Sequence, residues 1–367
     1  MKEEINIADP ANELFSDALE LLKQLIACPS FSKEENETAC IIEKFLKERS
    51  IDANRYLNNV WAVNKCFDKK KFTVLLNSHH DTVKPNTGYT FNPFDAILKD
   101  GKLFGLGSND AGGALVSLIA LFVHFYHNEN LPFNLILAAT AEEEISGHDG
   151  IENLLPLLPK IDCGIVGEPT LMKMAVAEKG LLVLDCIAHG VSGHAARNEG
   201  INAVYKAIND IQWFSAFQFP KVSSVLGPVH IAVTSVSTEN KAHNIVPSEC
   251  SYVVDVRVNE LYSFDEILKE INKNIQSEVW PRSTRLKPSF IEKNHPLVIA
   301  GNNMGLESYG SPTCSDRTLM DFPTLKIGPG DSARSHSADE YIFIDEIKDG
   351  IQKYILLLRN LAQSIII

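Results

Sequence analysis

The sequence predicts an α/β fold, a mostly parallel sheet with helices on both faces, interrupted by an inserted α+β sandwich. Three observations carry this expectation. Apolar runs rich in branched residues, Phe72 to Leu76, Leu135 to Thr140 and Gly164 to Val166, alternate with helical segments in strand–helix–strand order. After Pro169 the texture changes to strand candidates that flank helices, and it returns near Leu286 to the first kind. Finally, 367 residues of which 45% are apolar strain a single core and favour two domains. Residues 1–173 and 285–367 are assigned to one discontinuous domain, and residues 174–284 to the insertion.

The elements follow in order. Between Glu13 and Arg49, Leu14, Ala18, Leu21, Leu22, Leu25 and Ile26 recur at helical spacing, as do Ala39, Ile42, Phe45 and Leu46. Pro29-Ser30-Phe31-Ser32 separates these two helices, and Ser32 with Glu35 has the spacing of a capping box. Val60 to Val63 and Phe72 to Leu76 read as strands, and Asp110 to Phe125 as a helix opening after a Gly-rich turn. Leu135 to Thr140 and Gly164 to Val166 are strands with a short helix, Gly150 to Leu158, between them. In the insertion, Val183 to Ala188, Ile231 to Val236 and Cys250 to Val258 are strands. Asn202 to Phe214 and Phe264 to Val279 are its helices, and Asp345 to Leu361 is the closing helix of the chain.

Asp and Glu number 47 against 34 Lys and Arg, a net charge of -13. Such a surface disfavours nucleic acid and anionic membranes as partners. No secretion-type start and no apolar run of membrane-span length is read. The seven cysteines are scattered without a CxxC pair, which points to reduced thiols in the cytoplasm and away from a thiolate zinc site.

Five clusters of chemically capable residues stand out. Ser78-His79-His80-Asp81 ends a strand, where alternation puts His79 and Asp81 on one side and His80 on the other. A lone strand-end histidine is commonly structural, but an imidazole ligand also needs its second nitrogen held, and a nearby carboxylate does that. Gly105 through Gly113 contains Asp110, which reads either as a helix N-cap or as a carboxylate offering one oxygen to each of two metal ions. Glu142-Glu143-Glu144 is either a solvated loop or a set in which one acid binds metal while its neighbour moves protons. Glu168 follows the apolar run at Ile165-Val166, and His336 follows Gly328-Pro329-Gly330. Sites in parallel sheets gather at the carboxyl ends of strands, and recurrence of His and acid residues there is the residue-level argument for metal. An all-nitrogen-and-oxygen donor set suits zinc, with cobalt or manganese also compatible.

Taken together, these motifs resemble the M20 family of metallopeptidases and amidohydrolases. The matching elements are Ser78-His79-His80-Asp81, Gly105 to Gly113 with Asp110, Glu143-Glu144, Gly167-Glu168-Pro169, and His336 with Glu340. The resemblance implies two divalent metal ions, one held by His79, Asp110 and Glu168 and the other by Asp110, Glu144 and His336. It implies Glu143 as general base and Asp81 as the residue orienting His79. It further implies that the insertion forms a homodimer and that His194 reaches the partner's active site. Asn244 and Arg257 match substrate-contacting positions, although Arg257 near a strand end also reads as structural. Ser78 replaces a common glycine and Ala111-Gly112 a common Met-Lys; neither removes a ligand. The expected reaction is hydrolysis of an N-acyl amide on a small amino acid. Local phrases are most like the acetylornithine deacetylase members, which act in arginine biosynthesis. Deacylases of citrulline or succinylornithine, succinyl-diaminopimelate desuccinylase, aminoacylases and dipeptidases are the alternatives, and a non-catalytic binding relative is the rival class. Arg197, Arg257, Arg317 and Arg334 are candidates for holding a substrate carboxylate.

Overall fold

The computed structural model describes residues 10–365. The chain divides into two compact units, one containing residues 10–176, 291–309 and 315–365 and the other residues 177–290 and 310–314. Segment 310–314 thus groups with the insertion, a contribution that no contiguous range can express.

The first unit is built on a mixed sheet. Its strands lie in the order Ala53–Tyr56, Asn59–Val63, Phe133–Thr140, Phe72–His79, Cys163–Val166 and Thr324–Lys326, followed by the start of Met174–Glu178. The four from Phe133–Thr140 to Thr324–Lys326 are parallel, and the flanking strands run antiparallel to them. Every residue of Phe133–Thr140 is buried, as are all but the first of Phe72–His79. That continuous burial requires cover on both faces. On one face the Gly113–Phe125 helix packs on the sheet and is flanked in turn by Pro10–Ile26 and Ile344–Ile365. On the other, Ile151 and Leu154 of a short helix meet Leu75, Ile136, Ala138 and Val166.

Several expectations change at the element ends. The stretch Ser108–Phe125 has the length and composition of a membrane span, but 83% of it is buried inside the protein. Its Gly113–Phe125 part is apolar almost all round because it is a central core helix. That helix opens at Gly113, and Asp110 does not cap it. Residues Ser108–Gly112 form a wide turn in which Asp110 and Ala111 are non-helical and their peptide bond is cis. The Ser32 capping box is also absent. The helix starts at Asn36, and the Ser32 hydroxyl donates to Asp81 Oδ2 at 2.7 Å. Glu35 spends its carboxylate on the Lys33 and Glu142 N–H groups and on Asn58 Nδ2. Buried long-range partners have outcompeted the local motif.

In the second unit, a four-stranded antiparallel sheet has the order His230–Ser237, Glu249–Val258, Gly180–His189, Glu278–Pro281. Burial alternates along Gly180–His189 and Glu249–Val258, the period-two pattern of a sheet covered on one face. Helices Ala203–Ala216 and Phe264–Asn274 cover that face through Ala203, Ala207, Phe214, Phe264, Ile267 and Ile271. A capping box between Ser263 and Glu266 starts the second helix. It stops at Asn274, short of the predicted Val279. There the buried Asp210 accepts the N–H groups of Gln276 and Ser277, turning the chain into the next strand.

Candidate metal centre

The strand Phe72–His79 delivers His79, and the pleat sends the next histidine the other way. His80 Nε2 donates to Asn58 O at 2.9 Å, and the Thr38 hydroxyl lies 2.9 Å from its Nδ1. Burial pushes the His80 imidazole down to about 4, so it stays neutral, with Nε2 carrying the hydrogen. His80 is a satisfied structural residue.

His79 is 1% exposed and faces carboxylates. Its Nδ1 lies 3.0 Å from the Asp81 carbonyl oxygen and 3.4 Å from Asp81 Oδ1. Its Nε2 lies 3.3 Å from Asp110 Oδ1 and 3.9 Å from both Glu143 Oε2 and Glu168 Oε1. Glu143 and Glu144 stand on a single turn after the Phe133–Thr140 strand, Glu168 follows Cys163–Val166, and His336 comes from the 331–340 segment. His336 Nε2 is 3.0 Å from Glu144 Oε2 and 3.7 Å from Asp110 Oδ2. Asp110 therefore presents one oxygen to each histidine.

The electrostatics match this crowding. Burial lowers the proton affinity of His79, but hydrogen bonds to Asp110 and Asp81 and the charges of Glu143 and Glu168 raise it well above the usual histidine value. The Glu144 carboxylate, with Asp110 beyond it, lifts His336 to about 9 against the opposing effect of burial. Burial, reinforced by Glu168, Asp316 and Glu144, drives Glu143 well above the carboxylate range. Asp110 is held low because His79, Ser335 and His336 outweigh its burial.

Carboxylates that draw protons onto two histidines mark a place where positive charge is required. Divalent cations satisfy that requirement while leaving both imidazoles neutral, and two histidines with carboxylate oxygens are donors suited to such ions. His79, Asp110 and Glu144 offer ligand atoms within 4.8 Å of one another, and so do His79, Glu143 and Glu168. The donor set fits a metal centre, and it places Glu143 at ligand distance alongside the residues expected to bind.

Other expected residues fall elsewhere or act differently. Arg317 is 1% exposed and donates to the carbonyls of Ala175 and Val176 at 2.8 Å each, so its buried fork braces the main chain. Arg334 forms a two-pronged pair with Glu346. Both guanidinium groups are thus engaged within the protein. Glu142 is 7% exposed, with its N–H on Glu35, and is not a solvated acid. In the second unit, His194 pairs with Ile245, and the Ala195 N–H donates to the Asn244 carbonyl. His194 Nδ1 accepts the Ala196 N–H at 3.1 Å, which leaves Nε2 as the hydrogen-bearing nitrogen of the neutral ring. Arg257 grips Asp255 through Nε and Nη2.

A histidine–carboxylate cluster at the carboxyl ends of a parallel sheet defines a metal-dependent hydrolase. Residues 75–360 match peptidase family M20/M25/M40, and the chain belongs to that family. It is 25% identical over 280 residues to succinyl-diaminopimelate desuccinylase 2 of Ruegeria sp. (strain TM1040), covering 71% of this chain and 70% of that one. It is 26% identical over 371 residues to the succinyl-diaminopimelate desuccinylase of Blochmanniella pennsylvanica, covering 91% and 95%. Its fold matches a tripeptidase from Staphylococcus aureus with a TM-score of 0.76 at 19% identity, over 95% of this chain and 99% of that one.

Proposed function

We infer that this M20 hydrolase cleaves the N-acyl amide bond of a small amino acid, releasing a carboxylate and a free amine. The observation that supports this best is the convergence of His79, Glu143, Glu144 and Glu168, which end or follow strands of one sheet, with Asp110 and His336 from two loops. In this reading His79, Asp110 and Glu168 hold one divalent ion, and Asp110, Glu144 and His336 the other. Zinc is the first choice, with cobalt or manganese next. When bound, the ions polarise the amide carbonyl and lower the pKa of the attacking water. Glu143 takes the proton from that water and later delivers it to the departing nitrogen. Asp81 holds His79 and the turn that carries Glu143.

For the substrate, the phrases around His79 and Gly328-Pro329-Gly330 favour N-acetylornithine. A second reading, N-succinyl-diaminopimelate, is favoured by the names of the relatives that match most of the chain. The second carries two further carboxylates, one on the acyl group and one at the far end of diaminopimelate, and the first of these calls for an extra cation at the acyl end. Arg317 is engaged by main-chain carbonyls and Arg334 by Glu346, so Arg197, and Arg257 if it leaves Asp255, are the candidates for substrate carboxylates. The test is a panel of N-acetylornithine, N-acetylcitrulline, their succinyl counterparts, N-succinyl-diaminopimelate and simple dipeptides with metal-loaded protein. The highest kcat/KM is expected for N-acetylornithine. A higher value for a succinyl substrate overturns the acetyl reading, and turnover of dipeptides alone overturns N-acyl specificity.

The same reading makes the second unit a dimerisation module of a cytoplasmic enzyme. Its strand His230–Ser237 lies at the sheet edge and pairs on one side only, with Glu249–Val258, which leaves an edge suited to a second copy. His194 then serves the partner's active site by donating from Nε2 to the developing oxyanion. Mixing His194→Ala with Glu143→Ala subunits is expected to restore activity in hybrid dimers; none after confirmed exchange contradicts it.

A further inference from the structure

Glu340 is 1% exposed and has no part in the reaction as described. Its carboxylate accepts three main-chain N–H groups from one loop: Gly107 at 3.1 Å on Oε2, and Asn109 at 2.8 Å and Asp110 at 2.9 Å on Oε1. Its carbonyl oxygen accepts a fourth, from Gly105 at 3.0 Å. One residue thus accepts four main-chain N–H groups of the loop that carries Asp110. A second clasp closes the other side. Asn109 Nδ2 donates to the Asp331 carbonyl and Oδ1 accepts the Asp331 N–H, both at 3.0 Å.

Both clasps belong to the segment from Asp331 to Glu340, and that segment also carries His336. The neighbouring Asp339 fastens it further by accepting the N–H and hydroxyl of Thr90. His336 has φ 58°, a left-handed conformation that side chains adopt rarely, so its placement is imposed by these surroundings. The 3.7 Å separation of Asp110 Oδ2 from His336 Nε2 is thus set between two loops tied to each other by Glu340 and Asn109. His79 and Glu168 come from strand ends and do not share the clasp. A glutamine at 340 keeps the shape but turns an NH2 donor toward N–H donors, so it cannot hold all three groups.

We propose that Glu340 is a positioning residue for the ion assigned to Asp110, Glu144 and His336, locking the Asp110 loop to the His336 segment. This rests on the two-ion reading given above. The test is calorimetric titration of chelator-treated protein with Co2+, alongside the thermal midpoint of the metal-free form. Wild type is expected to take up two ions. In Glu340→Gln the ion assigned to Asp110, Glu144 and His336 binds about tenfold to a hundredfold more weakly, the range for losing a group that orients ligands, and the other, which shares Asp110 but keeps His79 and Glu168, loses less. Asn109→Ala, which opens the other clasp, shifts the same ion in the same direction, and Glu340→Asp recovers part of the loss. Wild-type affinity for both ions in Glu340→Gln and Asn109→Ala overturns the proposal. So does an equal loss of both ions that tracks a lowered metal-free midpoint, since a merely structural role gives that result. A wild-type chain that binds fewer than two ions overturns the two-ion reading, and this inference with it.

Discussion

The carboxylate of Asp81 accepts the main-chain N–H of Glu143 at 3.0 Å. Its other oxygen takes the N–H of Glu144 at 3.1 Å and the hydroxyl of Ser32 at 2.7 Å. His79 Nδ1 lies farther from this carboxylate, at 3.4 Å, and closer to the Asp81 carbonyl, at 3.0 Å. Asp81 thus fixes the Glu143–Glu144 turn at least as directly as it orients the imidazole. Burial would raise its pKa, but His79, Ser32 and the Glu144 amide together hold it low.

Asp81→Asn keeps the shape but points an NH2 group at a donor. With metal saturating, kcat is expected to fall about 10- to 100-fold, with a much smaller change in KM. Ser32→Ala removes one of the bonds to Asp81 and should cost about 1 kcal/mol in urea unfolding. Steady-state kinetics with an unchanged kcat in Asp81→Asn would contradict the positioning role.

Arg317→Met is expected to destabilise the protein by about 3 kcal/mol, because it strips charged donors from the buried carbonyls of Ala175 and Val176. Substrate KM should stay near wild type at temperatures where the variant is folded. A raised KM with unchanged urea stability would return Arg317 to the substrate.

His295 supplies a pH test remote from the centre. Its Nδ1 accepts the N–H of Leu297 at the start of the Pro296–Asn303 helix, and burial lowers its pKa from 6.5. The unfolded chain therefore takes a proton first, and this residue costs stability as pH falls below 6.5. Relative to His295→Asn, which caps without titrating in this range, wild type should lose stability as pH is lowered from about 7 to 5. A pH-independent difference in thermal midpoint would refute the assignment.

What was legible in the sequence was local. Apolar runs and their punctuation located the central strands, and the acids and histidines directly after them were visible as clusters. His79 and His80 were separable by strand alternation alone. Competition among distant partners was not legible. Ser32 and Glu35 have the spacing of a cap, yet Asp81, Asn58 and the Glu142 N–H claim their side chains. Asp110 resembles an N-cap, yet Glu340, 230 residues away, supplies the acceptors for its loop. The short strands Ala53–Tyr56, at the sheet edge, and Thr324–Lys326, inside it, are too short to show a period and exist through their pairing. Choosing Glu143 over Glu144 as the base likewise came from family resemblance, since both acids occupy one turn.

The most direct test is therefore Glu143→Ala, with bound metal measured by elemental analysis and turnover on the best panel substrate. The expected result is near-normal metal content with kcat lower by about 10²- to 10⁴-fold, the usual contribution of a general base. Full turnover with the ions in place, or loss of the ions themselves, would contradict the assignment of Glu143 as the proton carrier.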